Sequence, residues 1–241
     1  MFIALNKAVT LLGSAPVVLP VSGVLTAVLW RRHSVKAAAG WVAALGLMVA
    51  VVMLLKIAGH ACNIHFLDDR LTSPSGHAAL SAAVYGAVGV VVARHVEGWR
   101  RNAFLLAVFG IVAGVAVSRV ILRSHSVTEV TVGLALGGLA VAAFAQGLAR
   151  IVRAQAAEVT AGQTPVGQAP ASPWRWPLSR RASPLVVAPL LMAAVLLLGA
   201  GAVTFGNRTT AEPMLKHIAM LLRQDDVLCG PVSPLDGLLP R

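Results

Sequence analysis

Acidic and aromatic residues are both scarce in this chain, with nine Asp and Glu, six Phe, five Trp and a single Tyr in 241 residues. Charged residues make up 12% and hydrophobic ones 57%, a composition that excludes an ordinary soluble domain. The shortage of loop aromatics also removes the stacking surfaces that nucleic-acid binding requires, although the formal net charge is +11. Only two cysteines are present, Cys62 and Cys229, so a single disulfide is the most that thiol chemistry can contribute. No internal repeat is visible.

Long apolar stretches take up most of the chain. Six runs, roughly 9–30, 37–58, 75–93, 103–122, 127–149 and 185–205, approach or exceed the roughly 20 residues needed to cross a bilayer. The sequence therefore predicts an all-α fold, a polytopic membrane helical bundle of about six transmembrane helices. The first run lacks a basic leading region and a small-residue cleavage site, and is expected to be a retained helix. Residues 1–153 form the expected membrane core, 154–184 an Ala-, Pro-, Gln- and Ser-rich cytoplasmic linker, and 185–205 the sixth helix. In the tail, 206–241, the helical spacing of Met214, Leu215, Ile218, Leu221 and Leu222 predicts an amphipathic helix at the outer interface.

Charge placement orients the bundle. If all six runs span, Arg31, Arg32, Lys36, Arg94, Arg100, Arg101, Arg150, Arg153, Arg175, Arg180 and Arg181 share one side with only Glu97 and Glu158 as acids. That side is expected to be cytoplasmic, which puts the other helix ends outside. The expected location is the cell membrane, and Cys62 and Cys229 fall together on the oxidising side, where they can pair. Topology accounts for the positive charge without any nucleic-acid partner.

At the outer ends of the runs lie residues that are costly to keep near hydrocarbon: Lys56, Pro74-Ser75-Gly76-His77, Ser118-Arg119, His125 and Glu129. Pro74, the N-cap candidate Ser75 and Gly76 predict a helix that begins with uncovered amides, a ready anion site with His77 in its first turn. His125 and Glu129, four apart, allow a carboxylate to fix one imidazole tautomer and raise the basicity of the other nitrogen. Arg119 supplies a fork of donors suited to phosphoryl oxygens, and Lys56 a point charge. A second cluster, His60, Cys62, His65, Asp68 and Asp69, has metal-ligating side chains but no standard zinc spacing, so no metal site is predicted.

In order and placement these residues resemble the type-2 phosphatidic acid phosphatase superfamily of membrane lipid phosphatases, related to the vanadium-dependent haloperoxidases. Its second motif, Pro-Ser-Gly-His, stands complete at 74–77. Its third, Ser-Arg, five residues, His, three residues, Asp, is matched by Ser118, Arg119 and His125, with Glu129 in place of Asp. Of its first motif Lys56 is present, but Asn63 and Ile64 stand where Arg-Pro is usual. The resemblance covers roughly 37–149. It implies a metal-independent, cofactor-free phosphatase acting on a membrane lipid phosphate or diphosphate, with the site on the extracytoplasmic side. His125 would be the nucleophile that forms a phosphohistidine, Glu129 its orienting carboxylate and His77 the acid and base. Lys56, Ser75, Gly76 and Arg119 would hold the phosphoryl oxygens, with Arg123 favoured over Arg70 to replace the missing arginine. The altered first motif keeps two other readings open, a non-hydrolytic lipid-phosphate binder or transporter and a lipid phosphotransferase. Neither the lipid nor the oligomeric state is set by the sequence, because the glycines of the fifth run, Gly133, Gly137 and Gly138, suit packing within one bundle as well as between two.

Overall fold

The computed structural model describes residues 2–62 and 73–161, together with His217, Ile218 and Met220. All regular structure among the described residues is helical: α1 (Phe2–Leu11), α2 (Ala15–Arg32), α3 (Val35–Cys62), α4 (Gly76–Val92), α5 (Gly98–Ile121) and α6 (Val127–Ala161). Among the described residues four segments are long and apolar enough to cross a membrane: Phe2–Arg32, Val35–Ala61, Gly98–Ile121 and Val127–Ala157. Helix α4 is shorter, 17 residues, and forms the centre of the bundle, packed against α6, α5, α2 and α3. Five of the six expected runs thus coincide with helices. The sixth, 185–205, lies outside the described residues, as do most of the 154–184 linker, the Cys62 to Cys229 pairing, and Arg70, His65, Asp68 and Asp69. Of the tail helix only His217, Ile218 and Met220 are described, and they are helical.

Two boundaries differ from expectation. The first run is not one continuous helix, because the chain turns at Leu12-Gly13-Ser14 between α1 and α2. Ser14, extended at φ −76° and ψ 150°, is the N-cap of α2, and a proline follows in its first turn, where the missing N–H costs nothing. The Leu11 carbonyl, at the end of α1, accepts from both the Ser14 amide at 2.9 Å and the Ser14 hydroxyl at 2.6 Å. At the other end of the bundle, α6 continues to Ala161, past the expected end of its apolar run at residue 149. Ala154, Gln155, Ala156 and Ala157 are good helix formers, and Gln155 donates to the His33 carbonyl at 3.3 Å.

The core explains the monotony of the sequence. Helix α4 buries Ala78, Ala79, Ser81, Ala83, Val84, Tyr85, Ala87, Val88, Val91 and Val92 on nearly all its sides. Such a helix needs small residues where neighbours approach closely. On α6, a Cβ at Gly133 would lie 2.5 Å from the Ser75 carbonyl oxygen, and one at Gly137 would lie 2.5 Å from that of Ala79. These two glycines therefore serve packing within the bundle, whereas a Cβ at Gly138 would meet nothing within 4 Å among the described residues. Farther along, Trp41 is fully buried, donates to the Ser22 hydroxyl at 3.0 Å and meets Phe144 edge to face at 5.3 Å between centroids, joining α2, α3 and α6.

Candidate active site

The contact between α4 and α6 at Gly133 has a chemical consequence at the helix ends. With no side chain in the way, the Ser75 amide donates to the Glu129 main-chain carbonyl at 3.0 Å. One residue pair away, the Ser73 amide donates to Glu129 Oε1, also at 3.0 Å. The segment that leads into α4 is thus tied to the first turn of α6 by backbone and side chain together.

Glu129 is held from a second direction by a capping box. Ser126 precedes α6 and its hydroxyl accepts from the Glu129 amide at 3.2 Å, while Glu129 Oε2 accepts from the Ser126 amide at 3.0 Å. The same oxygen lies 2.9 Å from His125 Nδ1. The carboxylate, 7% exposed, therefore takes hydrogen bonds from Ser73, Ser126 and His125. An ionised carboxylate only accepts, so the His125 proton sits on Nδ1 and Nε2 keeps its lone pair. The sequence places this pair correctly but for a different reason: His125 lies in the turn before α6, and the contact spans the helix cap instead of one helical turn. Ser73 and Ser126 are missed by the motif reading, although the Ser-x-x-Glu spacing of a capping box marks Ser126 in advance.

Burial disfavours charge on His125 and holds its pKa below the ordinary imidazole value. Glu129 pulls the other way through its hydrogen bond and charge, and the positive charges of Arg119 and Lys56 add to the lowering. The imidazole is thus kept neutral around pH 7, with a free Nε2 lone pair, in the electrostatic reach of two cations. Lys56 comes from the penultimate turn of α3 and is only 4% exposed. Arg119 comes from the last turn of α5, where its Nη1 donates to the Thr10 hydroxyl of α1 at 3.4 Å.

At the start of α4, Ser75 is the N-cap, at φ −71° and ψ 110°, yet its hydroxyl makes no capping bond. It is fully buried and its Oγ has no hydrogen-bond partner among the described residues. A Cβ at Gly76 would meet nothing within 4 Å among the described residues, and His77 is half-buried in the same first turn. First-turn amides and an unengaged hydroxyl are the donors an anion would need, and Arg119 and Lys56 lie in electrostatic reach of His125. Ser118, fully buried, donates to the Val115 carbonyl of its own helix at 2.7 Å. Arg123 is exposed and stands beyond the end of α5 at φ 51°, so it is not on one helix with Arg119. Among the described residues no three His, Cys, Asp or Glu side chains cluster as metal ligands do.

Residues 59–153 match the PAP2 superfamily. Among curated proteins, an uncharacterized 22.5 kDa protein in cps region of Klebsiella pneumoniae is 32% identical over 138 residues. That alignment covers 56% of this chain and 66% of the relative, so somewhat less than two thirds of the relative's length is spanned. No solved structure matches.

Proposed function

We propose, from the match of residues 59–153 to the PAP2 superfamily, that this chain is a membrane phosphatase that hydrolyses a lipid phosphate or diphosphate at the outer leaflet through a phosphohistidine on His125. The observation that carries this reading is the Nδ1 contact of His125 with Glu129, which leaves Nε2 free to attack. In the first step Nε2 bonds to phosphorus and the P–O bond to the leaving group breaks, the lipid alcohol of a monophosphate or the lipid monophosphate of a diphosphate, with His77 giving its proton to the departing oxygen. The positive charge that develops on the imidazole is met by Glu129. In the second step His77 takes a proton from water, the water oxygen bonds to phosphorus, and the P–N bond breaks to release phosphate and restore His125. Lys56, Arg119 and the first-turn amides of α4 stabilise the equatorial oxygens, the main task of a catalyst for this transfer.

Purified protein in detergent, with EDTA present, tests the proposal against polyprenyl diphosphate, phosphatidate and phosphatidylglycerol phosphate beside His125→Ala. Phosphate release that persists in EDTA and disappears in the variant is expected. Equal silence of both proteins on every lipid would overturn hydrolysis and leave binding or phosphotransfer as the reading of the site.

A further inference from the structure

Helix α1 turns the wrong residues inward for a helix in water. Phe2, Ile3 and Leu5 are 62–63% exposed, while Asn6 and Thr10 are buried at 9%. Ser14, one further turn along, is buried at 8%. Beside lipid that arrangement is expected only if the polar stripe has something to face. What it faces is α5, and at the end of the stripe the Thr10 hydroxyl accepts from Arg119 Nη1.

The turn that follows is fitted equally closely to the other half of the site. A Cβ at Gly13 would lie 2.9 Å from the His77 carbonyl oxygen and 2.6 Å from a Val115 methyl, so the backbone there rests directly on the first turn of α4 and on α5. The hydroxyl of Tyr85, the only tyrosine in the chain, donates to the neighbouring Leu12 carbonyl at 2.7 Å and fixes the turn to α4. Residues 10–14 lie outside the segment 59–153 that matches the family.

We infer that the end of α1 and the turn after it are a positioning element of the active site, in which Thr10 orients the Arg119 guanidinium toward the phosphoryl oxygens and Gly13 seats the turn that carries His77. This rests on the phosphatase reading for its substrate, but the contact with Arg119 does not. Thr10→Val keeps the volume and removes the acceptor, and Thr10→Ser keeps the hydroxyl. Three quantities are measured for each variant and for wild type: kcat and KM for lipid phosphate, the affinity for inorganic phosphate from its protection against thermal unfolding, and the melting temperature without phosphate.

The expected result is a loss of about tenfold in both kcat/KM and phosphate affinity for Thr10→Val, the size of one hydrogen bond from a charged donor. Thr10→Ser should stay within about threefold of wild type, and neither variant should shift the unliganded melting temperature. Tyr85→Phe, which loosens the turn without touching Arg119, should lower kcat/KM severalfold and so covers the case in which Thr10→Val does not fold. Wild-type behaviour of Thr10→Val in turnover and phosphate binding would overturn the inference and leave the phosphatase reading standing. So would equal impairment of Thr10→Val and Thr10→Ser with a lowered melting temperature, since that is a packing effect. Should wild type release no phosphate from any lipid, the phosphatase reading falls and phosphate affinity alone decides: weaker binding in Thr10→Val upholds the positioning role, and equal or absent binding ends it.

Discussion

At one end of the bundle Arg31, Arg32, Arg94, Arg100 and Arg101 are all exposed, and Arg100 lies 5.8 Å from the Trp99 ring centroid, itself 75% exposed. At the other end Lys56 and Glu129 are nearly inaccessible, and Ser75 wholly so. Both ends have a turn with a histidine whose pKa is depressed, His33 by burial and then by the charges of His95 and Arg94, and His125 by burial against the pull of Glu129. Of these two, only His125 has a carboxylate on its ring nitrogen among the described residues. The difference separates two uses of charge in a membrane protein. Exposed arginines beside lipid set orientation and need no defined partners. Buried charges need every partner in place, because each unsatisfied group in low dielectric is costly.

Removing the charge of Glu129 should have the largest effect. Glu129→Gln keeps the shape but offers one acceptor oxygen where two oxygens now take bonds from Ser73, Ser126 and His125. One amide N–H is then left facing an NH2 group, an unsatisfied donor worth about 1–3 kcal/mol. With the His125 tautomer no longer fixed, turnover should fall on the order of 10³-fold or more. Phosphate release and the melting temperature, measured on the same preparation, check both parts. A variant that retains most of its turnover would mean that the carboxylate serves the helix cap alone.

Gly133→Ala should come next, because its Cβ would press on main-chain atoms that have no rotamer to yield. Separation of α4 from α6 would stretch the bond from Ser75 to Glu129 and cost about 1–3 kcal/mol of stability, with a loss of activity. Gly138→Ala is the matched control one residue beyond Gly137. Its Cβ meets nothing within 4 Å among the described residues, so the helix should gain about 0.5–1 kcal/mol and turnover should stay unchanged. Melting curves of the two variants side by side test whether the approach of the helices, and not glycine content, builds the site.

The pH dependence sharpens the contrast between the two histidines. Attack requires neutral His125, so the acid limb of kcat/KM should lie below pH 6.5, the ordinary imidazole value. Since burial lowers this pKa and Glu129 raises it, Glu129→Gln should move the residual limb lower still. The unfolded chain, with an ordinary imidazole, binds the proton more readily than the folded one. The stability linked to His125 is therefore complete above about pH 6.5 and is lost as pH falls through the lower folded-state value. A wild-type limb above the ordinary imidazole range would show that Glu129 outweighs burial.

Much of this was legible in the sequence, for reasons that differ by element. Apolar runs of bilayer length locate α3, α5 and α6 because the hydrocarbon thickness leaves few alternatives. The Pro-Ser-Gly-His segment locates the start of α4 because proline, an N-cap serine and glycine each act on the backbone next to them. The turn at Gly13 was not legible, since a glycine in an apolar run reads the same whether the helix bends or continues. What distinguishes it is the carbonyl of His77, a contact distant in sequence. Thr10 was missed for the same reason, as its partner Arg119 comes from a helix that no local pattern connects to it. Spacing alone pairs Glu129 with His125, but the bond of Glu129 to Ser73 depends on the approach of α4 to α6.

The smallest expected effect lies at the arginine end and tests whether the two ends are in fact independent. Arg31 and Arg32 close α2 with exposed side chains, and the adjacent His33 carbonyl is already engaged by Gln155 of α6. Exchanging both for Gln removes two solvated charges and no buried contact, so the melting temperature should move by no more than about 0.5 kcal/mol of stability allows. Phosphate release in detergent should stay within about twofold of wild type, because exposed charges beyond a Debye length of about 10 Å are screened from the site. The consequence should appear only during insertion into a membrane, where loss of basic residues from one short loop weakens the orienting bias. A double variant that inserts normally yet loses turnover would show that the arginine end reaches the site through α2, and the division of labour between the two ends would have to be withdrawn.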